Sequence, residues 1–336
     1  MHLPLAGSML RSLHGKVTSR KRAQYGDLAT PPSHPEQVGE EGATVMFTRL
    51  GDTSKATIFA VLVLLLALAA ALLIRVLDIM GGFGVVMLYM STPALTVLVM
   101  LVVVTRDGYT REGWKVLGLH RLDLKSWWIA FLAPLLVGVV ATAIVWATPL
   151  ARFVMPDDAV SQVLGFFVNI VLSTLTLSLG EELGWRGYLL PHLLSVGWTR
   201  AFVLVGLIWA AWHMPLIFFT PLYHSAGNRM IVVPLFVATI VAASFFFGYL
   251  RVWTGSVWPA SIAHSSHNAA WGTLAAFTVT SNPVVVNEYL VGDNGILILA
   301  GTAIAALWLS RKVSRTLGSG PTLPRPGDAS GEAPAV

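Results

Sequence analysis

Residues 177–193 read LSLGEELGWRGYLLPHL. Two adjacent carboxylates and a guanidinium, Glu181, Glu182 and Arg186, close an apolar run. A charge at the centre of a bilayer costs about 2.5–3.5 kcal/mol on insertion scales, so such residues sit at the membrane edge or face the interior of a helix bundle and do chemistry there. On a helix, Glu182 and Arg186 are i and i+4 and can pair. Glu181 is turned by about 100° from Glu182. The two glutamates therefore cannot serve one point equally: one faces a site, and the other supports it from the side of Arg186. The plain alternative is an ion pair at a helix end, level with the headgroups.

The surroundings of this stretch set the fold class. Of 336 residues, 55% are hydrophobic and 12% charged, with a mean hydropathy of +0.70. A soluble domain carries roughly 25% charged residues. A crossing needs about 20 mostly apolar residues. Eight stretches qualify, near 56–74, 82–104, 127–149, 160–180, 200–219, 231–250, 257–278 and 294–310, the fourth continuing helically into the stretch above. The expectation is an all-α polytopic transmembrane helical bundle of about eight spans. It divides into a disordered cytoplasmic tail at 1–50, a transmembrane helical domain at 51–312, and a disordered tail at 313–336 rich in Pro, Gly and Ser. The RKR cluster at 20–22 belongs to the first tail. No signal peptide and no internal repeat is visible.

All but three of the 22 Lys and Arg fall in the tails and on one set of loops, and the opposite loops hold Arg75, Arg152 and Arg229. Under the positive-inside rule both termini are cytoplasmic, and the most basic cytoplasmic loop is 105–126. The net charge of +5 is accounted for in this way, and no nucleic-acid partner is implied. The expected location is the lipid bilayer, as an integral multi-pass protein of the plasma membrane. With no cysteine, disulfides, thiolate metal sites and a cysteine nucleophile are excluded.

Few ionisable groups interrupt the apolar runs. His213 lies in LIWAAWHMPLIFF, and His264, His267 and Asn268 lie in WPASIAHSSHNAAWG. His264 and Asn268 are i and i+4 and share a face. Each alone has a bland reading. His213, or His264 with Asn268, can simply bond a neighbouring helix; His267 reads as a packing or gating residue, and Trp209 as packing. Together, three spans supply an acid, imidazoles and an amide. A general base, an imidazole that holds a water, and oxyanion donors are what amide hydrolysis needs. No His-Glu-x-x-His, Gly-x-Ser-x-Gly or Walker pattern is present.

These motifs give the chain a family resemblance. EELGWR at 181–186 followed by GYLLP, WAAWH at 209–213, and HSSHN at 264–268 preceded by TGSVWPASIA resemble, in order and spacing, the motifs of the CPBP intramembrane proteases, the group that includes the type II CAAX prenyl endopeptidases. The resemblance covers roughly residues 110–280. Trp209 stands where Phe is commoner.

The resemblance implies roles. Glu181 would be the general base that activates a water, and His213 would bind or orient that water. His264 and Asn268 would stabilise the oxyanion, and Glu182, held by Arg186, would support the site. The family is commonly labelled metalloprotease; zinc or another divalent metal would use His213, His264 and Glu181, an open His₂Glu type of site. The implied partner is a membrane-associated peptide or protein substrate, prenylated in the CAAX case, cleaved in the inner half of the membrane. Two other classes compete: a non-proteolytic membrane scaffold or bacteriocin-immunity protein of the same fold, and a transporter or proton relay using the same buried groups.

Overall fold

The computed structural model of the protein describes residues 50–79 and 83–317. The tail readings on 1–49 and 318–336, with the cluster at 20–22, lie outside the described residues. The chain forms α1 (Asp52–Val76), α2 (Phe83–Met90), α3 (Thr92–Val99), a short α4 (Arg111–Lys115), α5 (Trp127–Trp146), β1 (Ala151–Phe153) and α6 (Ala159–Leu175). Then follow α7 (Leu177–Glu182), a wide π-helical turn at Leu183–Leu189, α8 (Leu190–Leu193), α9 (Trp198–Phe219), α10 (Arg229–Thr254), α11 (Trp258–Ala276), β2 (Thr278–Thr280) and α12 (Ile296–Leu317). The last helix runs through Leu317, so residues 313–317, expected as part of the C-terminal tail, are helical.

α1 shows why these segments are membrane helices. Phe59, Val63, Ala67, Ala71 and Ile74 recur at helical spacing and are buried, while Val61, Leu65 and Leu72 on the far side are exposed. An apolar outer face suits lipid, and the alanines let a neighbouring helix approach closely. Among the described residues, six helices are long and apolar enough to cross a membrane, or up to seven if the pair Gly84–Met90 and Thr92–Val104, bent by 42°, is one span.

The expected crossing at 257–278 is the exception. It folds as α11, but it is not among the helices apolar enough to qualify. The reason is its surroundings. α11 packs against α5, α6 and α10, and residues from Pro259 to Ser266 are buried. A helix enclosed by protein need not be apolar, and its serines tie it in: Ser261 Oγ donates to Thr174 O at 2.8 Å and Ser266 Oγ to Phe131 O at 2.7 Å.

Two features hold the site region in place. β1 and β2 pair antiparallel, Ala151 opposite Thr280 and Phe153 opposite Thr278, joining the ends of α5 and α11. From the other side, the loop before α5 clamps the wide turn. Arg251 donates from Nε to Arg186 O at 2.9 Å and from Nη2 to Val116 O at 2.7 Å. A π turn forms i→i+5 bonds, and Arg251 satisfies one carbonyl within it. Gly184 lets this turn meet α3: a Cβ there would lie 2.6 Å from Pro93 Cβ.

Candidate active site

The opening stretch lies inside the protein. Glu181, Glu182 and Arg186 are all buried, so the ion pair is not an exposed one at a helix end. Thr176 (φ −129°, ψ −88°) interrupts the backbone between α6 and α7, and α7 carries Glu181 and Glu182, both buried. The wide turn that follows is a known device at functional sites.

Glu182 is the supporting carboxylate. Its Oε1 accepts from Arg186 Nη1 at 3.0 Å and from His264 Nδ1 at 3.1 Å. Because a carboxylate only accepts, His264 carries its proton on Nδ1 at this contact. Arg186 lies over the Trp209 ring at 4.5 Å and the Phe247 ring at 4.9 Å, two cation–π contacts that partly replace its lost water. Glu182 Oε2 and Arg186 Nε and Nη2 have no hydrogen-bond partner.

Glu181 faces the other way, as the helical period demands. Its Oε2 accepts from Trp209 Nε1 at 2.8 Å and Trp185 Nε1 at 3.3 Å. Its Oε1 is buried with no partner and stands 3.9 Å from His264 Nε2. One water fits between two such atoms, since each hydrogen bond spans about 2.8 Å.

Glu181, His213, His264 and Asn268 all line one cavity of ≈ 530 Å³, with mostly apolar walls that include Leu177, Leu216 and Phe246. His213 Nδ1 donates to Trp209 O at 2.9 Å. That bond fixes the tautomer and leaves Nε2 as the free acceptor. The structure thus brings together all six residues singled out in the sequence. His267, read as packing or gating, lines the same cavity.

Two groups were not foreseen. Trp209 was read as packing and Trp185 was not singled out, yet both donate to Glu181; the motif position of the first and the i+4 position of the second were the available signal. At another wall, Asp293 and Asn294 meet Tyr223. His224 Nδ1 contacts Glu288 Oε2 at 2.6 Å and His224 Nε2 lies 3.5 Å from Asp293 Oδ1, while the Tyr223 hydroxyl donates to Asp293. These partners lie on separate loops far apart in the chain, so no local pattern announces them.

The fit of a metal can be tested on the donors. Among the described residues, no group of three or more His, Asp or Glu side chains is gathered closely enough to hold an ion. Two ligands on one tetrahedral zinc stand about 3.4 Å apart, closer than the 3.9 Å between Glu181 Oε1 and His264 Nε2. In this arrangement the set does not fit an ion.

Fold and site define a class: an integral, multi-pass helical membrane protein with a carboxylate–imidazole centre enclosed in the bundle. Comparison with known proteins narrows it. Residues 163–270 match the family model described as type II CAAX prenyl endopeptidase Rce1-like. This segment spans all three motifs. A stretch of 59 residues is 41% identical to CAAX prenyl protease 2 of Methanococcus maripaludis strain S2. The match takes in 17% of this chain and 22% of that protein, so the chain is aligned with about a fifth of the curated relative's length.

Proposed function

We propose that this chain is an intramembrane endopeptidase of the CAAX-processing type, hydrolysing a peptide bond with a water activated by Glu181. One observation carries the reading: the buried, unpartnered Oε1 of Glu181 faces His264 Nε2 at 3.9 Å in a cavity shared with His213 and Asn268. Buried carboxylate oxygens are normally satisfied; one left free beside an imidazole suits a proton acceptor.

In this reading the water rests between Glu181 Oε1 and the imidazoles, and His213 Nε2 orients it. Glu181 takes a proton as the water oxygen attacks the scissile carbonyl carbon. His264, protonated on both ring nitrogens and held through Nδ1 by Glu182, donates from Nε2 to the oxyanion that forms, together with the Asn268 amide. Glu181 then returns the proton to the departing amine as the C–N bond breaks. Oxyanion donors of this kind are worth about 10²–10³-fold in rate. No step is routed through a metal.

The substrate class follows from the matched family's description: a membrane-associated, prenylated protein or peptide. The apolar cavity walls are compatible with a lipidated chain. The Lys and Arg distribution supports cytoplasmic termini, with the plasma membrane as the proposed location.

The test is cleavage of a farnesylated CAAX peptide by the purified full chain in liposomes, wild type against Glu181→Gln. Loss of cleavage with retained fold supports the reading. Equal cleavage by both, or none by wild type, overturns it. Loss of activity on chelation, restored by zinc, would assign an ion to Glu181, His213 and His264.

A further inference from the structure

Glu181 and Glu182 each have one bonded and one unpartnered oxygen, but of the two only Glu181 lines the cavity. Its Oε2 receives both indole N–H groups, from Trp209 at 2.8 Å and Trp185 at 3.3 Å, while its Oε1 receives nothing. An indole N–H can only donate, so neither tryptophan can take a proton from the carboxylate or compete for one. We infer that Trp209 and Trp185 are positioning residues for the general base, and that Oε1 is the atom that takes the water's proton. This rests on the reading of Glu181 as the base.

Trp209 does more than fill space. It reaches from α9 to α7 and so fixes the carboxylate across two helices. Its backbone oxygen accepts the Nδ1 proton of His213 at 2.9 Å. Its ring face lies over Arg186 at 4.5 Å. One residue therefore sets the directions of Glu181 and His213 and shields the cation behind them. Phenylalanine, the commoner residue at this motif position in the family that the chain resembles, would keep the ring face and lose the N–H. Trp209→Phe is thus a change aimed at one hydrogen bond.

The two tryptophans also separate positioning from packing. Trp209 makes the shorter bond, but Trp185 is the more enclosed, at 0% exposure against 3%. Positioning ranks Trp209→Phe as the worse for turnover. Packing ranks Trp185→Phe as the worse for both turnover and thermal stability.

The experiment uses the full chain in liposomes and the farnesylated CAAX peptide. Trp209→Phe should lower kcat by about 10- to 100-fold, as a misplaced catalytic group does, with KM changed by less than about twofold. Trp185→Phe should lower kcat less. Wild-type kcat in Trp209→Phe, with Glu181→Gln inactive, overturns the inference and leaves the reading of the base standing. A kcat order that follows the melting temperatures also overturns it. An active Glu181→Gln removes the base and the inference together. A readout without turnover decides the geometry even if wild type cleaves nothing. The ultraviolet resonance Raman band for a hydrogen-bonded indole N–H should weaken in Trp209→Phe and shift toward the unbonded position in Glu181→Ala; no change in either sinks the proposal.

Discussion

Replacing Arg186 with Met should uncover how the buried charges depend on one another. Arg186 Nη1 and Glu182 Oε1 are 3.0 Å apart, and both side chains are fully enclosed. Two unit charges about 4 Å apart at an effective dielectric of 20 attract by about 4 kcal/mol. Arg186→Met leaves Glu182 charged with only His264 to answer it, and removing one partner of a buried pair costs about 3–5 kcal/mol. Glu182→Gln strands the guanidinium in the same way, although its amide oxygen can still accept from His264 Nδ1. The double variant Glu182→Gln, Arg186→Met removes both charges at once. Arg186 Nε and Nη2 are already unpartnered, so little hydrogen bonding is lost with them, and replacing a whole buried pair is often close to neutral. The double variant should therefore be less destabilised than the sum of the singles, with a coupling of about 2–4 kcal/mol. The assay is reversible unfolding in mixed micelles, titrated with sodium dodecyl sulfate and followed by tryptophan fluorescence. Additivity within about 0.5 kcal/mol, the behaviour of independent sites, would refute the argument.

Other outcomes follow from particular contacts. His213→Ala should cut peptide cleavage by about 10²-fold or more while leaving the melting temperature near wild type, because the side chain is only half-buried; equal turnover would remove it from the water site. Gly184→Ala and Gly248→Ala should each cost about 1–3 kcal/mol, since the added Cβ would lie 2.6 Å from Pro93 Cβ and 2.5 Å from the Phe202 ring. Gly165→Ala, with nothing within 4 Å, should be harmless in the same thermal assay. In the loop before α5, burial and then Arg121, Arg251 and Lys115 hold the His120 imidazole below the usual histidine value. The unfolded loop thus binds a proton more readily, so its packing should weaken as pH falls from about 7 to 5. Amide protection factors across 111–125, which remove the intrinsic pH dependence of exchange, should fall over that range in wild type and less so in His120→Asn. The chain has no cysteine, so single cysteines report sidedness: Leu122→Cys should react with an impermeant maleimide from the cytoplasmic face and Met155→Cys from the other. The reverse pattern would invert the orientation.

The sequence alone marked the helical segments and singled out the polar residues that the structure gathers. A run such as α1 has no option in lipid but a helix, because every backbone group must be bonded within the segment. Glu181, Glu182, Arg186, His213, His264 and Asn268 stood out because ionisable and amide groups are rare in such runs. The i+4 spacing also placed Glu182 against Arg186, and the structure pairs them.

Only the tertiary structure decided what each group touches. That α11 need not be apolar depends on its enclosure by α5, α6 and α10. That His264 bonds Glu182 while its other nitrogen faces Glu181 depends on a break at Thr176 and a wide turn after Glu182, neither of which a helical period encodes. That Trp209 is a donor rather than filler depends on α9 meeting α7. Local spacing fixes which residues share a face of one helix. Which faces meet depends on packing and backbone irregularity, and those arise only when all the helices have closed on one another.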